Sequence, residues 1–347
     1  MMSVIYFLSV FLSLMYPGHQ DAFVRREKLS DYHFFEGALR DLSPSEGVIP
    51  YTINTALFSN YAEKSRFFTL PVGAKISYRD SAVLAFPKGT ILIKTFYYPR
   101  DFRKAEAGAL ILETRLLVHE EAGWQAYPYI WNDEQTEAFY DPAGETRTVK
   151  YVNTAGKKVT TPYIIPNKNQ CKGCHLQGRA MVPVGPSARQ LNAVVEYEGK
   201  KKNQLEHWKE LGLLEGMPPL PALPAGVVWD DVNSGSLNDR ARAYLDANCA
   251  HCHSRNGPAN TSGLFLDVYE NNSSHLGVSK SPVAAGRGAG NLLFDIVPGE
   301  PNKSILVYRM KTNDLSIAMP EIGREQVHAE GLALIEEWIR TNTFSKH

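Results

Sequence analysis

The sequence predicts a multidomain chain of β and α segments: an N-terminal antiparallel β-sandwich or barrel-like domain, followed by two small α-helical domains. Three observations predict this organisation. Short apolar, β-branched or aromatic runs bounded by Gly, Pro and Asp fill residues 45–165, as expected for strands. From residue 166 onward the apolar residues recur at helical spacing. Each of the two later segments also contains one Cys-x-x-Cys-His motif.

Length and composition narrow the classes of protein that this chain can belong to. Its 347 residues are enough for two or three domains. Lys+Arg and Asp+Glu both number 37, so the formal net charge is +0 and no basic stripe predicts a nucleic-acid partner or an anionic membrane surface. A hydrophobic fraction of 44% is typical of a folded globular protein.

The N-terminus resembles an export signal. Residues 4–15 (VIYFLSVFLSLM) form an apolar run that is short for a membrane span and suits a signal h-region. Tyr16-Pro17-Gly18 ends the run. No Lys or Arg precedes it and no Ala-x-Ala site follows it, so an uncleaved anchor or a misassigned start stays an alternative. We expect residues 1–20 to be a signal peptide, and we expect the protein to be periplasmic or otherwise exported.

Residues 21–165 are expected to form the β-rich domain. The runs at residues 90–98, 110–118 and 123–131 predict strands, and Asn153-Thr154-Ala155-Gly156 predicts a hairpin turn. Strands at such intervals without intervening helices predict the antiparallel sandwich or barrel. Four aromatic residues are expected to share one face of a strand: Trp124, Tyr127, Tyr129 and Trp131.

All four cysteines lie in two Cys-x-x-Cys-His motifs, at residues 171–175 (CKGCH) and 249–253 (CAHCH). This spacing is the attachment signature of c-type haem. The three-residue offset places both sulfurs on one side of the porphyrin, and the adjacent His175 or His253 becomes the proximal iron ligand. Zinc or a disulfide would not require these histidines, and the two pairs stand too far apart for a zinc ribbon. The sequence predicts two covalently bound haem c groups, attached through four thioethers: Cys171, Cys174, Cys249 and Cys252.

The second motif lies in a segment, residues 236–347, with the layout of a small cytochrome c domain. Ser236 and Asp239 predict a capping box at the start of a helix that leads into the motif. Residues 325–340 predict a closing amphipathic helix, so the fold class becomes a β domain followed by two cytochrome c-like haem domains.

Met319 is the predicted sixth ligand of the second iron. It precedes Pro320 and stands just before the closing helix, and methionine is a common axial ligand of haem used for electron transfer. Met310 is the alternative, although it lies in a predicted helix and is expected to pack as core. His251, inside the motif, is expected to point to solvent.

The first motif lies in an atypical segment, residues 166–235. Pro162 and Pro166 preclude a regular helix before the motif, whereas residues 187–192 and 203–214 predict helices. No closing helix follows. This segment therefore departs from the layout of the second.

The sixth ligand of the first iron is open to several candidates. Met217 is favoured because it forms a second Met-Pro pair, and His207 is the next candidate. Met181, an external ligand and an open site remain. The loop of residues 181–186 better suits a backbone carbonyl that accepts the proton on the other nitrogen of His175.

Five stretches carry a resemblance to a known family: residues 57–61, 129–132, 169–175, 185–192 and 240–253. They resemble exported bacterial dihaem c-type proteins with a β-rich front, which are often encoded beside parallel-β-helix repeat proteins. The resemblance covers nearly the whole mature chain. It implies haem binding, export and a redox partner protein, with a β-helix repeat protein as one candidate partner.

The function predicted on these grounds is that of an exported dihaem c-type cytochrome that carries out single-electron transfer, rather than an enzyme with its own substrate. Two alternatives remain. One is a haem-dependent oxidoreductase with a substrate site between the β domain and the first haem, and the other is a haem redox sensor. Coordination of the first haem separates them, because an open position favours catalysis or sensing.

Overall fold

The computed structural model describes residues 23–197, 199–342 and 344. The expected signal peptide, residues 1–20, lies outside the described residues. None of the helices in the described part of the chain is long and apolar enough to cross a membrane.

The described residues form six α-helices and sixteen strands. The strands are β1 (Phe35–Glu36), β2 (Ser43–Pro44), β3 (Ile49–Pro50), β4 (Glu63–Thr69), β5 (Ile76–Ser77), β6 (Ile91–Pro99), β7 (Ala109–Glu120), β8 (Gly123–Trp131), β9 (Ala138–Tyr140), β10 (Glu145–Val152), β11 (Lys158–Ile165), β12 (Leu176–Gln177), β13 (Ala180–Met181), β14 (Val194–Tyr197), β15 (Lys200–Asn203) and β16 (Leu214–Glu215). The helices are α1 (Cys171–His175), α2 (Ala188–Leu191), α3 (Gln204–Glu210), α4 (Leu237–Asn248), α5 (Ile305–Lys311) and α6 (Ala329–Thr341).

One antiparallel sheet of six strands, in the order β3-β4-β6-β7-β8-β9, organises the front of the molecule. Its long central strands alternate between two buried faces, because successive side chains of a strand point to opposite sides. One face packs against residues 23–50 and includes Phe67, Ile93 and Leu116. The other face includes Phe68 and Leu92 and is covered by later parts of the chain. Strands β10 and β11 form a separate hairpin.

The expectation that four aromatic residues of β8 share a face is wrong for one of them. Tyr129 and Trp131 pack on the face toward residues 23–50, with Tyr127 beside them. Trp124 belongs to the core on the opposite face. It stands at an even position and the other three at odd positions, so the period of two places it on the other side.

The predicted fold class is wrong. The segment around the first motif is not a small α-helical cytochrome c-like domain, since its helices α1, α2 and α3 have only 5, 4 and 7 residues. Its apolar side chains Leu205, Trp208 and Met217 share one core with Phe68 and Leu92 of the sheet. The sheet is open and covered by these later residues, so it is neither a sandwich nor a barrel. The chain is β-rich, with 27% strand and 22% helix.

Helices α4, α5 and α6 pack together around a second core. The predicted capping box of α4 is confirmed: Ser236 Oγ accepts from the backbone N–H of Asp239 (3.2 Å), and Asp239 Oδ2 accepts from that of Ser236 (3.1 Å). Helix α6 begins at Ala329 instead of residue 325. The reason is tertiary, because Asn60 Oδ1 accepts from the backbone N–H groups of Glu325 (2.6 Å) and Gln326 (3.0 Å).

We expect Gly331→Ala to destabilise the protein, although alanine is the better helix former. A Cβ atom at Gly331 would lie 2.3 Å from Cζ of Tyr244, where α6 crosses α4. Such overpacking costs about 1–3 kcal/mol of the free energy of unfolding. Urea denaturation measures this, with Glu337→Ala on the exposed side of the same helix as control. A more stable Gly331→Ala variant would contradict the close approach.

Candidate functional site

The first motif lies on α1, directly after the strand β11 and a short turn. Asn167 and Gln170 hold this turn by reciprocal bonds: Gln170 Oε1 accepts from Asn167 N (2.8 Å), and Asn167 Oδ1 accepts from Gln170 N (2.9 Å). Cys171 is 9% exposed, and burial raises the pKa of the Cys171 and Cys174 thiols. The helix thus presents two thiols and the following His175 within one turn.

The imidazole of His175 is held by the loop that follows it. Its Nδ1 lies 2.7 Å from the backbone oxygen of Val182, so the sequence-based expectation of a carbonyl partner in residues 181–186 is confirmed. A proton on Nδ1 leaves Nε2 free as a ligand. Burial lowers the pKa of His175 to about 4, so the ring is neutral at physiological pH.

A cavity of about 550 Å³ opens over this motif, and we call it the first cavity. Cys171, Cys174 and His175 line one part of it. Side chains from the middle of strands β4, β6 and β7 line another part: Arg66, Lys94, Phe96 and Arg115. The first cavity therefore lies between the sheet and the first motif.

The second motif follows the last turn of α4. Cys249 caps that helix, and burial raises the pKa of the Cys249 and Cys252 thiols to about 12. Nδ1 of His253 lies 3.4 Å from Oγ of Ser262, and burial lowers the pKa of His253 to about 4. These residues line a second cavity of about 410 Å³.

The structure brings Met319 and His253 to the same cavity. The backbone N–H of Met319 donates to the carbonyl oxygen of Arg309 (3.0 Å), which fixes the loop before α6 against α5. Met310 lines this cavity too, but it is only 7% exposed and packs in the core of the three helices. Met319 is thus the more accessible of the two thioethers.

The structure does not bring Met217 to His175. Met217 is 9% exposed and packs in the core between α3 and the sheet, which also includes Cys171, but it does not itself line the first cavity. His207 lies against Tyr197, with ring centroids 3.9 Å apart, and Met181 packs against the same core as Met217. None of these three candidate ligands lines the first cavity, so this arrangement gives Met217 no support as the sixth ligand.

His251 does not point to solvent as expected. It lines both cavities, and burial lowers its pKa to about 4. Its Nδ1 is buried and has no hydrogen-bond partner among the residues that the structure describes. The middle of the second motif therefore separates the two cavities.

The two motifs touch each other, which their separation in the sequence does not reveal. Sγ of Cys252 lies 3.3 Å from the backbone oxygen of Gly173. Nε2 of Gln177 donates to the backbone oxygen of His251 (2.8 Å). Cys174, His251 and Ile322 line both cavities. The two sites thus adjoin through main chain and motif side chains.

Sequence reasoning missed a row of three cations that crosses the sheet in the first cavity. Arg66 of β4 stands opposite Lys94 of β6, and Lys94 stands opposite Arg115 of β7. The one local signal was Lys94, which interrupts the apolar strand β6 at a position that faces inward. The partners on β4 and β7 follow from strand register, which the sequence alone does not specify. We call Arg66, Lys94 and Arg115 the basic row.

Comparison of this chain with protein-family models, with curated proteins and with solved structures finds no match. Each motif lines a cavity of the size that cofactors occupy, roughly 300–1,000 Å³. Two thiols and one imidazole with a free Nε2 reach each cavity, which is the donor set of haem c. The residues present fit two such groups.

Proposed function

We propose that this protein is an exported dihaem c-type protein that transfers single electrons through two covalently bound haems. The observation that carries the proposal is that each Cys-x-x-Cys-His motif lines its own cavity, and that the two cavities share Cys174, His251 and Ile322. Two redox groups held in adjoining cavities can exchange electrons within one chain. A redox partner protein supplies and removes them, and a β-helix repeat protein is one candidate.

The chain's own residues have distinct parts in this proposal. Cys171, Cys174, Cys249 and Cys252 provide the thioethers. His175 and His253 each keep Nε2 available because their Nδ1 atoms face Val182 O and Ser262 Oγ. Haem, when bound, supplies the one-electron iron chemistry. Met319 would supply a soft thioether ligand in the second cavity, which would favour the reduced state of a bound haem and raise its potential.

The contacts between the motifs support electron exchange between the two sites. The Cys252 side chain contacts the main chain of Gly173, and Gln177 is bonded to the main chain of His251. A third bond joins the N–H of Gly178 to the oxygen of Asn256 (2.7 Å). These contacts hold the two attachment sites at a fixed separation.

Two haems per chain are expected in the protein expressed with export and haem-attachment machinery. Intact mass and haem staining after denaturing electrophoresis should show two additions in the wild type. The Cys171→Ala/Cys174→Ala and Cys249→Ala/Cys252→Ala variants should each carry one, because each loses one pair of thioethers. Lys172→Ala, a change at an exposed position inside the first motif, should keep both. A colourless protein that holds zinc or contains disulfides would refute the proposal.

One observation favours a second candidate function, an oxidoreductase whose substrate reaches the first haem. The first cavity lies between the sheet and the first motif, and the candidate ligands Met217, His207 and Met181 do not line it. A sixth position left open there would accept substrate. Carbon monoxide binding to the first haem of the reduced protein supports the enzyme, whereas two haems that both refuse it support the carrier.

A further inference from the structure

The basic row lies on the face of the sheet that forms the wall of the first cavity. Arg66, Lys94 and Arg115 are direct cross-strand neighbours, and all three line the same cavity as His175. Like charges that stand directly opposite each other in a sheet are destabilising. Three of them in a row therefore call for a compensating charge.

The described residues supply that charge to Arg115 but not to its neighbours. The carboxylate of Glu113 is fully buried, and it accepts from Nε of Arg115 (2.6 Å) and from the hydroxyl of Tyr163 (2.7 Å). Among the described residues Arg66 and Lys94 form no salt bridge. One carboxylate thus faces three cations.

The two side chains without a carboxylate partner, Arg66 and Lys94, are also partly buried. Nη2 of Arg66 is buried and lacks a hydrogen-bond partner among the described residues. Burial lowers the pKa of Lys94 well below its ordinary value, and the charges of Arg66, Lys64 and Arg115 act in the same direction. An anion that pairs with these side chains would satisfy their unused donors and would favour the charged form of Lys94. We therefore expect this part of the cavity wall to bind an anion.

We propose that the basic row binds a small anion from solution, an oxyanion or carboxylate, in the first cavity beside His175. The proposal rests on the proposed attachment of the first haem and on the second candidate function, since it makes this anion a ligand or substrate of that haem. Arg66 and Lys94 donate to the anion, and Arg115 is held in place by Glu113. The site thus defines the class of molecule that reaches the first haem.

A second source of negative charge is the pair of propionates of the first haem. The charges of Lys94 and Arg115 act on His175, and they also act on Cys174 and Cys171, the attachment thiols. Propionates lie on the edge of the porphyrin away from the thioethers. Arg79 lines the same cavity at a more exposed position, which suits a group that faces solvent. The basic row therefore remains available to an anion that enters the first cavity from solution.

Azide, an anion, and imidazole, a neutral ligand, are the probes. Each is titrated into the oxidised holoprotein, and the spectrum of the first haem is followed while the methionine band of the second reports any change there. Lys94→Gln and Arg66→Gln should each weaken the affinity for azide about tenfold or more, because each variant loses one charge-assisted hydrogen bond. The affinity for imidazole should change less than about threefold in the same variants. Lys94→Arg should largely restore azide binding, and Lys150→Gln, at an exposed position of β10, should leave it unchanged.

The outcomes separate this proposal from the proposed function. A wild type that carries two haems but does not bind azide at the first overturns the anion site alone. Variants with unchanged azide affinity but a lower melting temperature of the holoprotein show that the row serves the propionates, which also overturns it. If the variants weaken the affinities for azide and imidazole equally, the basic row does not act through its charge, and the anion site is overturned. Absence of haem would instead remove the proposed function.

Discussion

Replacing Met319 with alanine is expected to abolish the methionine-to-iron charge-transfer band of the second haem while both haems stay attached. Met319 lines the second cavity with His253 and is the more accessible of its two methionines. A thioether stabilises the reduced iron, so its loss lowers the potential. The fall should be on the order of 0.1 V or more, within the roughly 0.8 V range over which axial ligands act. Optical spectra and a redox titration measure both effects.

Met310→Ala is the matched control, because Met310 lines the same cavity but packs in the helical core. It should keep the band and lower the free energy of unfolding by about 2–5 kcal/mol, as large-to-small core changes do. The reverse result, a band lost in Met310→Ala and kept in Met319→Ala, would show that the ligand assignment is wrong.

Glu113→Ala is expected to destabilise the sheet strongly. Glu113 is fully buried, and its carboxylate is the partner of Arg115, whose side chain is 29% exposed. Removing one partner of a buried ion pair leaves an uncompensated charge at a cost of about 3 kcal/mol or more. Here the cost includes the repulsion within the basic row and the lost acceptor of Tyr163. The shift in the urea midpoint measures it.

Glu121→Ala provides the comparison on the surface. Its side chain is 86% exposed and pairs with Lys88. Exposed ion pairs contribute about 0–1 kcal/mol, so this variant should unfold almost as the wild type does. If the two variants unfold at the same urea concentration, the buried carboxylate does not stabilise the basic row.

Local patterns predicted much of the secondary structure. Strand β8 has the predicted bounds, Gly123–Trp131, because its apolar and aromatic residues lie between two turns. The capping box of α4 was predictable because it needs only Ser236 and Asp239, three residues apart. Residues 171–175 and 249–253 were likewise recognisable from spacing alone.

Long-range pairing could not be predicted in the same way. The segment around the first motif has helical spacing in α3, but its Trp208 packs against Phe68 of the sheet, with ring centroids 4.9 Å apart, instead of against a helix of its own. The basic row depends on the register of three strands, and no local pattern aligns Arg66 with Lys94. The position of His251 between the two cavities depends on how the two motifs pack against each other.

Asn60 has a consequence for the biogenesis of the protein. Its side chain accepts from the N–H groups of Glu325 and Gln326, which lie 265 and 266 positions further along the chain. The neighbouring Phe58 is stacked on His328, with ring centroids 4.1 Å apart. A chain that is synthesised from its N-terminus cannot complete these contacts until residues 325–328, just before the last helix, have emerged. Until then the face of the Phe58 ring that stacks on His328 stays exposed, and the packing of the β-rich front of the molecule is incomplete.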